Sequence, residues 1–226
     1  MIKAVIFDLD HTLFDRHSTL KSLVPKLREE FSVNDKMTDE EIGEYWCYAD
    51  DNFVYLGWEH IYSYLIEKGV FVTPPAYEAY CSFIYKYFQI TAVPFPDTIH
   101  MLEGLRERGY KTGLITNGFP YLQYAKVDML GLRSHFDEII VTGDYGVHKP
   151  DRKIFDIMRE KLGFSPDEMV YVGDNPINDI DGARGAGWKT VWMKSTLYWD
   201  EKIEPADREV FTVREITDAV LSLEVK

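Results

Sequence analysis

Cysteine is scarce in this chain. Its 226 residues include only two cysteines, Cys47 and Cys81. A disulfide-rich secreted scaffold needs more, so the sequence favours a reducing compartment, and we expect a cytoplasmic protein. A single disulfide between the two is one alternative. The other is that both thiols serve as small buried apolar side chains.

Long apolar runs are also missing, and basic residues are outnumbered. Asp8 interrupts the apolar segment after Met1, so we expect neither a signal peptide nor a membrane span. The chain has 25 Lys and Arg against 38 Asp and Glu, a formal net charge of −13. This charge repels nucleic acid and anionic membranes, so neither is expected as a partner. An anionic substrate would therefore need local positive charge.

Residues 16–91 have a helical hydrophobic periodicity. The pattern predicts one helix from Leu20 to Phe31, with Pro25 as the place where it would kink, and a capping box of Thr38 with Glu41. Further helices are expected from Phe53 to Leu65, closed by Gly69, and from Thr73 and Pro74 onward. The aromatic residues between Tyr45 and Trp58 are predicted to be mainly core, with substrate stacking as the alternative.

Strand and helix patterns alternate in the rest of the chain. The predicted strands are Ala4–Phe7, Lys111–Thr116, Glu138–Thr142, Met169–Gly173 and Thr190–Met193. Such alternation predicts an α/β fold with a doubly wound parallel sheet. The sheet domain would consist of residues 1–15 and 92–226, with residues 16–91 inserted as an all-helical domain.

Unusual polar residues stand where these strands end or where the next helix begins. They are Asp8 and Asp10, then Thr116-Asn117-Gly118, then Lys149-Pro150, and finally Asp174 with Asp179. Each group alone is typical of a turn or a helix start. In a doubly wound sheet, however, all of them would converge at one edge. Carboxylates without soft ligands suit a hard cation such as Mg²⁺, and a carboxylate can also accept a phosphoryl group.

Four short strings resemble the motifs of haloacid-dehalogenase-like (HAD) hydrolases. In chain order they are FDLDHTL, ITNG, HKPD and VGDNPIND, which together span Phe7 to Asp179. The helical insert resembles the C1 cap of that family. The stretch GVHKPDRKIF and the length of the insert are similar to the branch that contains nucleoside monophosphatases and N-acylneuraminate-9-phosphatase.

The resemblance implies a role for each matching residue. Asp8 would be the nucleophile and a metal ligand, and Asp10 the general acid/base with its carbonyl on the metal. Lys149 would steady the nucleophile and the phosphoryl group. Asp174 would bind the metal directly, and Asp179 would orient Lys149 or metal-bound water. The residues expected to contact the phosphoryl group are Leu9, Thr116, Asn117, Gly118 and Lys149.

The resemblance therefore implies a Mg²⁺-dependent phosphatase that acts through an aspartyl phosphate. Its substrate would be a small phosphorylated metabolite, a nucleotide or a sugar phosphate, and the protein a monomer or homodimer. A haloacid dehalogenase is one alternative, although that activity needs no metal and the family's dehalogenases lack the acid at Asp10. A phosphomutase is the second alternative. A non-catalytic binding protein is the third, but each catalytic position keeps its residue.

Overall fold

The chain divides into two compact units. The computed structural model describes residues 1–88, 90–194 and 199–224. The first unit comprises Met1–Asp15 and Pro94–Lys226, and the second comprises Arg16–Val93. The sequence places the return to the first unit at residue 92, two positions before the boundary in the structure.

The return crossing begins at Pro94 because that residue already pairs with the outgoing chain. Phe14 and Pro94 form an isolated antiparallel bridge. The Phe95 amide donates to the Leu13 carbonyl at 3.1 Å, and the Thr98 hydroxyl donates to the same carbonyl at 3.0 Å. The two crossing segments are therefore held side by side within the first unit.

The first unit contains a six-stranded parallel sheet, which confirms the predicted α/β class. Its strands are β1 Ala4–Phe7, β2 Lys111–Thr116, β3 Glu138–Val141, β4 Met169–Gly173, β5 Lys189–Met193 and β6 Arg208–Val210. They are ordered β3-β2-β1-β4-β5-β6, and every neighbouring pair is parallel. The chain order reverses at β1, which lies in the middle.

Strand β6 is the one that the sequence pattern did not predict. It has three residues, and its charged Arg208 and Glu209 are exposed. A short charged strand at a sheet edge gives no apolar run, so periodicity cannot identify it. The central strands β1 and β4 are buried throughout, as expected for strands covered on both faces.

The second unit is helical, as its periodicity predicts. Its helices are α1 Arg16–Ser22, α2 Val24–Glu30, α3 Asp39–Phe53, α4 Trp58–Glu67 and α5 Tyr77–Tyr87. Helix α3 begins with the predicted capping box, in which Thr38 and Glu41 bond each other's backbone amides. Trp46 of α3 is fully buried against Tyr80, whereas Tyr48 is half exposed and stacks on Tyr64.

Three helix limits in the second unit differ from the prediction. Pro25 does not kink a single helix but lies in the first turn of α2, after a break at Leu23. The helix predicted to begin at Phe53 begins only at Trp58, because Gly57, with a φ of 106°, separates α3 and a short 3₁₀ turn from α4. Helix α5 begins at Tyr77 rather than at Thr73. The residue before a proline is pushed out of the helical region, so Pro74, which precedes Pro75, cannot start a helix.

Arg16 is engaged inside the second unit. Its guanidinium makes two hydrogen bonds to Asp50, at 2.5 and 2.7 Å, and lies 4.7 Å from the centre of the Phe88 ring. Both members of the ion pair are buried.

Cys47 and Cys81 are free thiols, so the disulfide that the sequence left as an alternative does not form.

The helices of the first unit follow its strands. They are α6 Thr98–Glu107, α7 Pro120–Met129, α8 Arg152–Leu162, α9 Gly182–Gly185 and α10 Ile216–Ser222, with a π-helical turn at Pro176–Asp181. Pro150 was predicted to open α8, but the helix begins two residues later with Asp151 as its N-cap. Among the described residues, no helix is long and apolar enough to cross a membrane.

Candidate active site

Three neighbouring strands bring the predicted site residues to one edge of the sheet. Asp8 follows β1, Thr116 ends β2, and Asp174 follows β4. Phe7 is paired in register with Leu114 on β2 and with Val172 on β4. The carboxyl ends of these strands therefore meet beside β1, where the strand order reverses. In open α/β sheets this is the place where ligands bind.

Lys149 lies at the centre of the site with all three of its protons engaged. Its Nζ atom is 2.6 Å from Oδ1 of Asp8, 2.6 Å from Oδ1 of Asp179 and 2.9 Å from the hydroxyl of Tyr171. The Tyr171 hydroxyl in turn donates to the Ile115 carbonyl at 2.9 Å. The lysine is buried, so this tripod fixes both its position and the orientation of Asp8.

The loop after β4 is built to place Asp179 against Lys149. The second oxygen of Asp179, Oδ2, accepts the Asn175 amide at 2.9 Å. Gly173 is essential to this approach, because a Cβ there would collide with the Asp179 carboxylate. The side chain of Asn175 caps the π-helical turn that carries Asp179. Asp179 itself is completely buried.

The site holds more negative than positive charge. Asp8, Asp174 and Asp179 offer carboxylate oxygens within 4.8 Å of one another. Burial, reinforced by Asp179 and Asp10, raises the pKa of Asp8 from 3.8 to about 7 despite the neighbouring Lys149. Burial and the charges of Asp179 and Asp8 likewise hold the pKa of Asp174 well above its usual range. A cluster with this excess of carboxylate is stabilised by a cation.

The same carboxylates favour the charged form of Lys149, whereas they favour the neutral forms of Asp8 and Asp174. Burial lowers the pKa of Lys149, but the charges of Asp179 and Asp8 outweigh burial and hold that pKa well above its usual value. Lys149 therefore stays protonated, yet its single charge cannot balance three carboxylates. The donor set fits a hard divalent cation, since it consists only of oxygen.

The two carboxylates best suited to such a cation are Asp8 and Asp174. Both oxygens of Asp179 already accept hydrogen bonds, from Lys149 and from the Asn175 amide. The backbone of Asp174 is steadied by Trp192, whose indole Nε1 donates to the Asp174 carbonyl at 2.8 Å.

The raised pKa of Asp8 predicts a pH-dependent stability for the metal-free protein. Asp8 binds its proton more tightly when folded than when unfolded, so its contribution to stability is lost as the pH rises through about 7. In EDTA, we expect the unfolding free energy of the wild type to fall relative to that of Asp8→Asn between about pH 5 and about pH 8. Urea unfolding of both proteins at each pH measures this difference. If the difference in unfolding free energy between the two proteins did not change with pH, the raised pKa of Asp8 would be contradicted.

The Asp10 carboxylate is held by helix α7. It contacts two side chains of that helix that the sequence patterns did not identify, Gln123 and Lys126. Lys126 Nζ is 2.7 and 2.8 Å from the two Asp10 oxygens, and Gln123 Nε2 is 3.1 Å from Oδ2. Gln123 and Lys126 are buried. Two polar residues three apart on the helix that follows the strand end at Thr116-Asn117 were the available signal for them.

The residues predicted to contact a phosphoryl group have different surroundings. The Thr116 hydroxyl accepts from Gln123 Nε2. The Asn117 side chain bonds the main chain of Lys149 in both directions, at 2.9 and 3.1 Å, so it acts as a brace between two loops. Leu9 is fully buried. Gly118 has a φ of 140° and donates its amide to the Thr142 hydroxyl at 3.4 Å.

The fold and the site define a doubly wound α/β protein with a buried acidic centre around one lysine. The family model of the haloacid dehalogenase-like hydrolases matches residues 5–193. The chain belongs to this family.

Several curated relatives and one of the similar solved structures are phosphatases. The chain is 32% identical to a glyceraldehyde 3-phosphate phosphatase of Methanopyrus kandleri over 99% of both chains. It is 36% identical to a phosphoserine phosphatase of Thermus thermophilus, over 54% of this chain and 49% of the relative. A crystal structure of an HAD phosphatase from Thermococcus onnurineus has a TM-score of 0.67 and 28% identity, and covers 97% of this chain and 98% of its own. These similar proteins are phosphatases.

Proposed function

We propose that the protein is a Mg²⁺-dependent phosphatase that releases phosphate from a small phosphomonoester through an aspartyl phosphate. The observation that carries this proposal is the environment of Asp8. A buried carboxylate at the switch point of the sheet is held at 2.6 Å by a lysine and surrounded by further carboxylates. The phosphatase names of the similar proteins support the same activity.

Asp8 is assigned the first step. Because Lys149 binds its Oδ1 atom, we assign the attack on phosphorus to Oδ2. The new bond joins Asp8 to phosphorus, while the bond between phosphorus and the ester oxygen breaks. Asp10, two residues away, gives the departing oxygen a proton. The Lys149 ammonium offsets the charge that develops on the phosphoryl oxygens.

Asp10 is assigned the second step as well. It takes a proton from a water molecule that attacks the phosphorus of the aspartyl phosphate. The bond between phosphorus and Asp8 then breaks, which returns Asp8 as a carboxylate and releases inorganic phosphate. The hydroxyl of Thr116 is proposed to hold the phosphoryl group.

Asp8, Asp174 and the carbonyl of Asp10 would hold the magnesium ion. When bound, Mg²⁺ supplies the positive charge that three buried carboxylates and one lysine lack, and it attracts an anionic substrate to an acidic protein.

The helical unit, inserted after β1, is proposed to be a C1 cap that selects the substrate. A short sugar phosphate such as glyceraldehyde 3-phosphate is the first substrate to test, because relatives matched over nearly their full length carry that name.

The proposal predicts phosphate release that depends on the metal. We expect the purified protein with Mg²⁺ to hydrolyse one or more of glyceraldehyde 3-phosphate, phosphoserine, nucleoside 5′-monophosphates and p-nitrophenyl phosphate. Removing the metal with EDTA is expected to lower the rate by about 100-fold or more, and Mg²⁺ should restore it. Colorimetric measurement of inorganic phosphate is sufficient for this assay.

Two outcomes would replace this function with another of the same fold. Halide release from a 2-haloacid, undiminished by EDTA, would establish a dehalogenase. Transfer of the phosphoryl group to an added sugar phosphate, without free phosphate, would establish a phosphomutase.

A further inference from the structure

Helix α7 directs two polar side chains at the loop after β1. Gln123 and Lys126 are one helical turn apart, and both are buried together with Val127. Side chains three apart lie on the same face of a helix. That face would ordinarily carry apolar residues, so two buried polar groups on it need a reason.

The contacts supply that reason. The Lys126 ammonium spans both oxygens of Asp10, at 2.7 and 2.8 Å, with only 4% of its side chain exposed. It also lies 5.2 Å from the centre of the Phe14 ring. The ammonium is therefore held from two directions by the segment that follows β1.

Gln123 connects the same carboxylate to the end of β2. Its Nε2 atom lies 3.1 Å from Oδ2 of Asp10 and 3.0 Å from the Asn117 carbonyl, and it also bonds the Thr116 hydroxyl. One amide thus ties the loop after β1 to the loop after β2. Gly118 leaves room for it, because a Cβ there would lie 3.1 Å from Gln123 Cγ.

A buried ammonium is costly to fold unless it is paired. An apolar side chain at position 126 would fill the same space without that cost. The pairing therefore restrains the Asp10 carboxylate, whose side chain is 23% exposed.

We propose that Lys126, assisted by Gln123, is a positioning residue that holds the Asp10 carboxyl group in its working orientation. This inference rests on the proposed function, in which Asp10 exchanges protons with the ester oxygen and with water. A misplacement of about 1 Å in a catalytic group can cost about 100-fold in rate, so such a restraint has kinetic consequences.

The test compares esters with different leaving groups. Phenyl phosphate needs proton donation to its departing oxygen, whereas 2,4-dinitrophenyl phosphate departs without it. In Lys126→Met, we expect kcat for phenyl phosphate to fall by about 10- to 100-fold with KM changed less than about twofold. For 2,4-dinitrophenyl phosphate, the burst of dinitrophenolate measures the rate constant of the first step. This rate constant should change less than about threefold.

Three further variants separate positioning from a general effect on folding. Lys126→Arg keeps a cation that can span both oxygens and should recover much of the rate. Lys153→Met removes an exposed lysine of α8 and should leave both esters unaffected. In an Asp10→Asn background, Lys126→Met should have little further effect, because residues that act through one another are not additive.

The outcomes distinguish this inference from the proposed function. If the wild type releases no phosphate from any ester, the proposed function fails and the inference fails with it. The proposed function stands if the wild type is active and Asp8→Asn is not. In that case, three results for Lys126→Met would overturn the inference alone: an equal loss of rate on both esters, a rise in KM without a change in kcat, or no change. Should Lys126→Met not fold, Gln123→Met decides with the same pair of esters, and an ester-independent result overturns the inference.

Discussion

Asp8→Asn is expected to abolish phosphate release, lowering kcat by about 10⁴-fold or more. Asparagine has the shape of aspartate but no anionic oxygen, so it cannot form the acyl phosphate. The substitution also relieves the carboxylate excess around Lys149, and we expect the variant to fold. Release of inorganic phosphate in the presence of Mg²⁺ measures the loss.

Asp128→Asn is the matched control for Asp8→Asn. Asp128 lies at the exposed end of α7, where it pairs with Arg133. This substitution should leave the rate within about twofold of the wild-type rate, because surface ion pairs contribute only about 0–1 kcal/mol to stability.

A trapping experiment identifies the nucleophile directly. In the wild type, hydroxylamine added during turnover should convert the acyl phosphate into a hydroxamate on the peptide that contains Asp8, which mass spectrometry detects. Retained activity in Asp8→Asn would refute the assignment of the nucleophile.

The second large effect is expected from Lys149→Met, which should lower both activity and stability. It leaves Asp8 and Asp179 buried without the ammonium that bonds both at 2.6 Å. Breaking a buried ion pair costs about 3–5 kcal/mol in unfolding free energy. Thermal or urea unfolding at neutral pH measures this cost. The cost should shrink at lower pH, because the stranded carboxyl groups can then bind protons.

Lys161→Met provides the comparison for Lys149→Met. Lys161 is on α8 and pairs with Glu138 at the surface, where its side chain is 38% exposed. Its substitution is expected to change the unfolding free energy by less than about 1 kcal/mol and to leave the rate unchanged. If Lys149→Met were as stable and as active as Lys161→Met, the central role of Lys149 would be wrong.

Strands β1 to β5 were predictable because each is a short apolar segment bounded by turn residues. Strands β1, β2 and β4 have the predicted limits, and their carboxyl ends carry the predicted polar residues. Local signals also identified the capping box at Thr38. These features depend on residues within a few positions of one another, which a single sequence displays directly.

Other local signals were outweighed by their neighbours. Thr212 and Glu215 match a capping box, but the Glu215 side chain accepts the Phe211 amide at 2.7 Å, and α10 begins only at Ile216. Pro75 displaced the start of α5 by its steric effect on the residue before it. In both cases a neighbouring residue outweighs the pattern seen in the sequence.

The sequence by itself determined the fold class and the order in which Asp8, Lys149, Asp174 and Asp179 reach the sheet edge. This follows because parallel strands align their carboxyl ends whatever surrounds them. Only the tertiary structure decided which side chain binds which. Asp10 meets Lys126, 116 positions away, and Asn117 braces the backbone of Lys149 rather than standing free. The physical reason is that these partners depend on how α7 and the loops pack over the sheet, and no spacing along the chain records that packing.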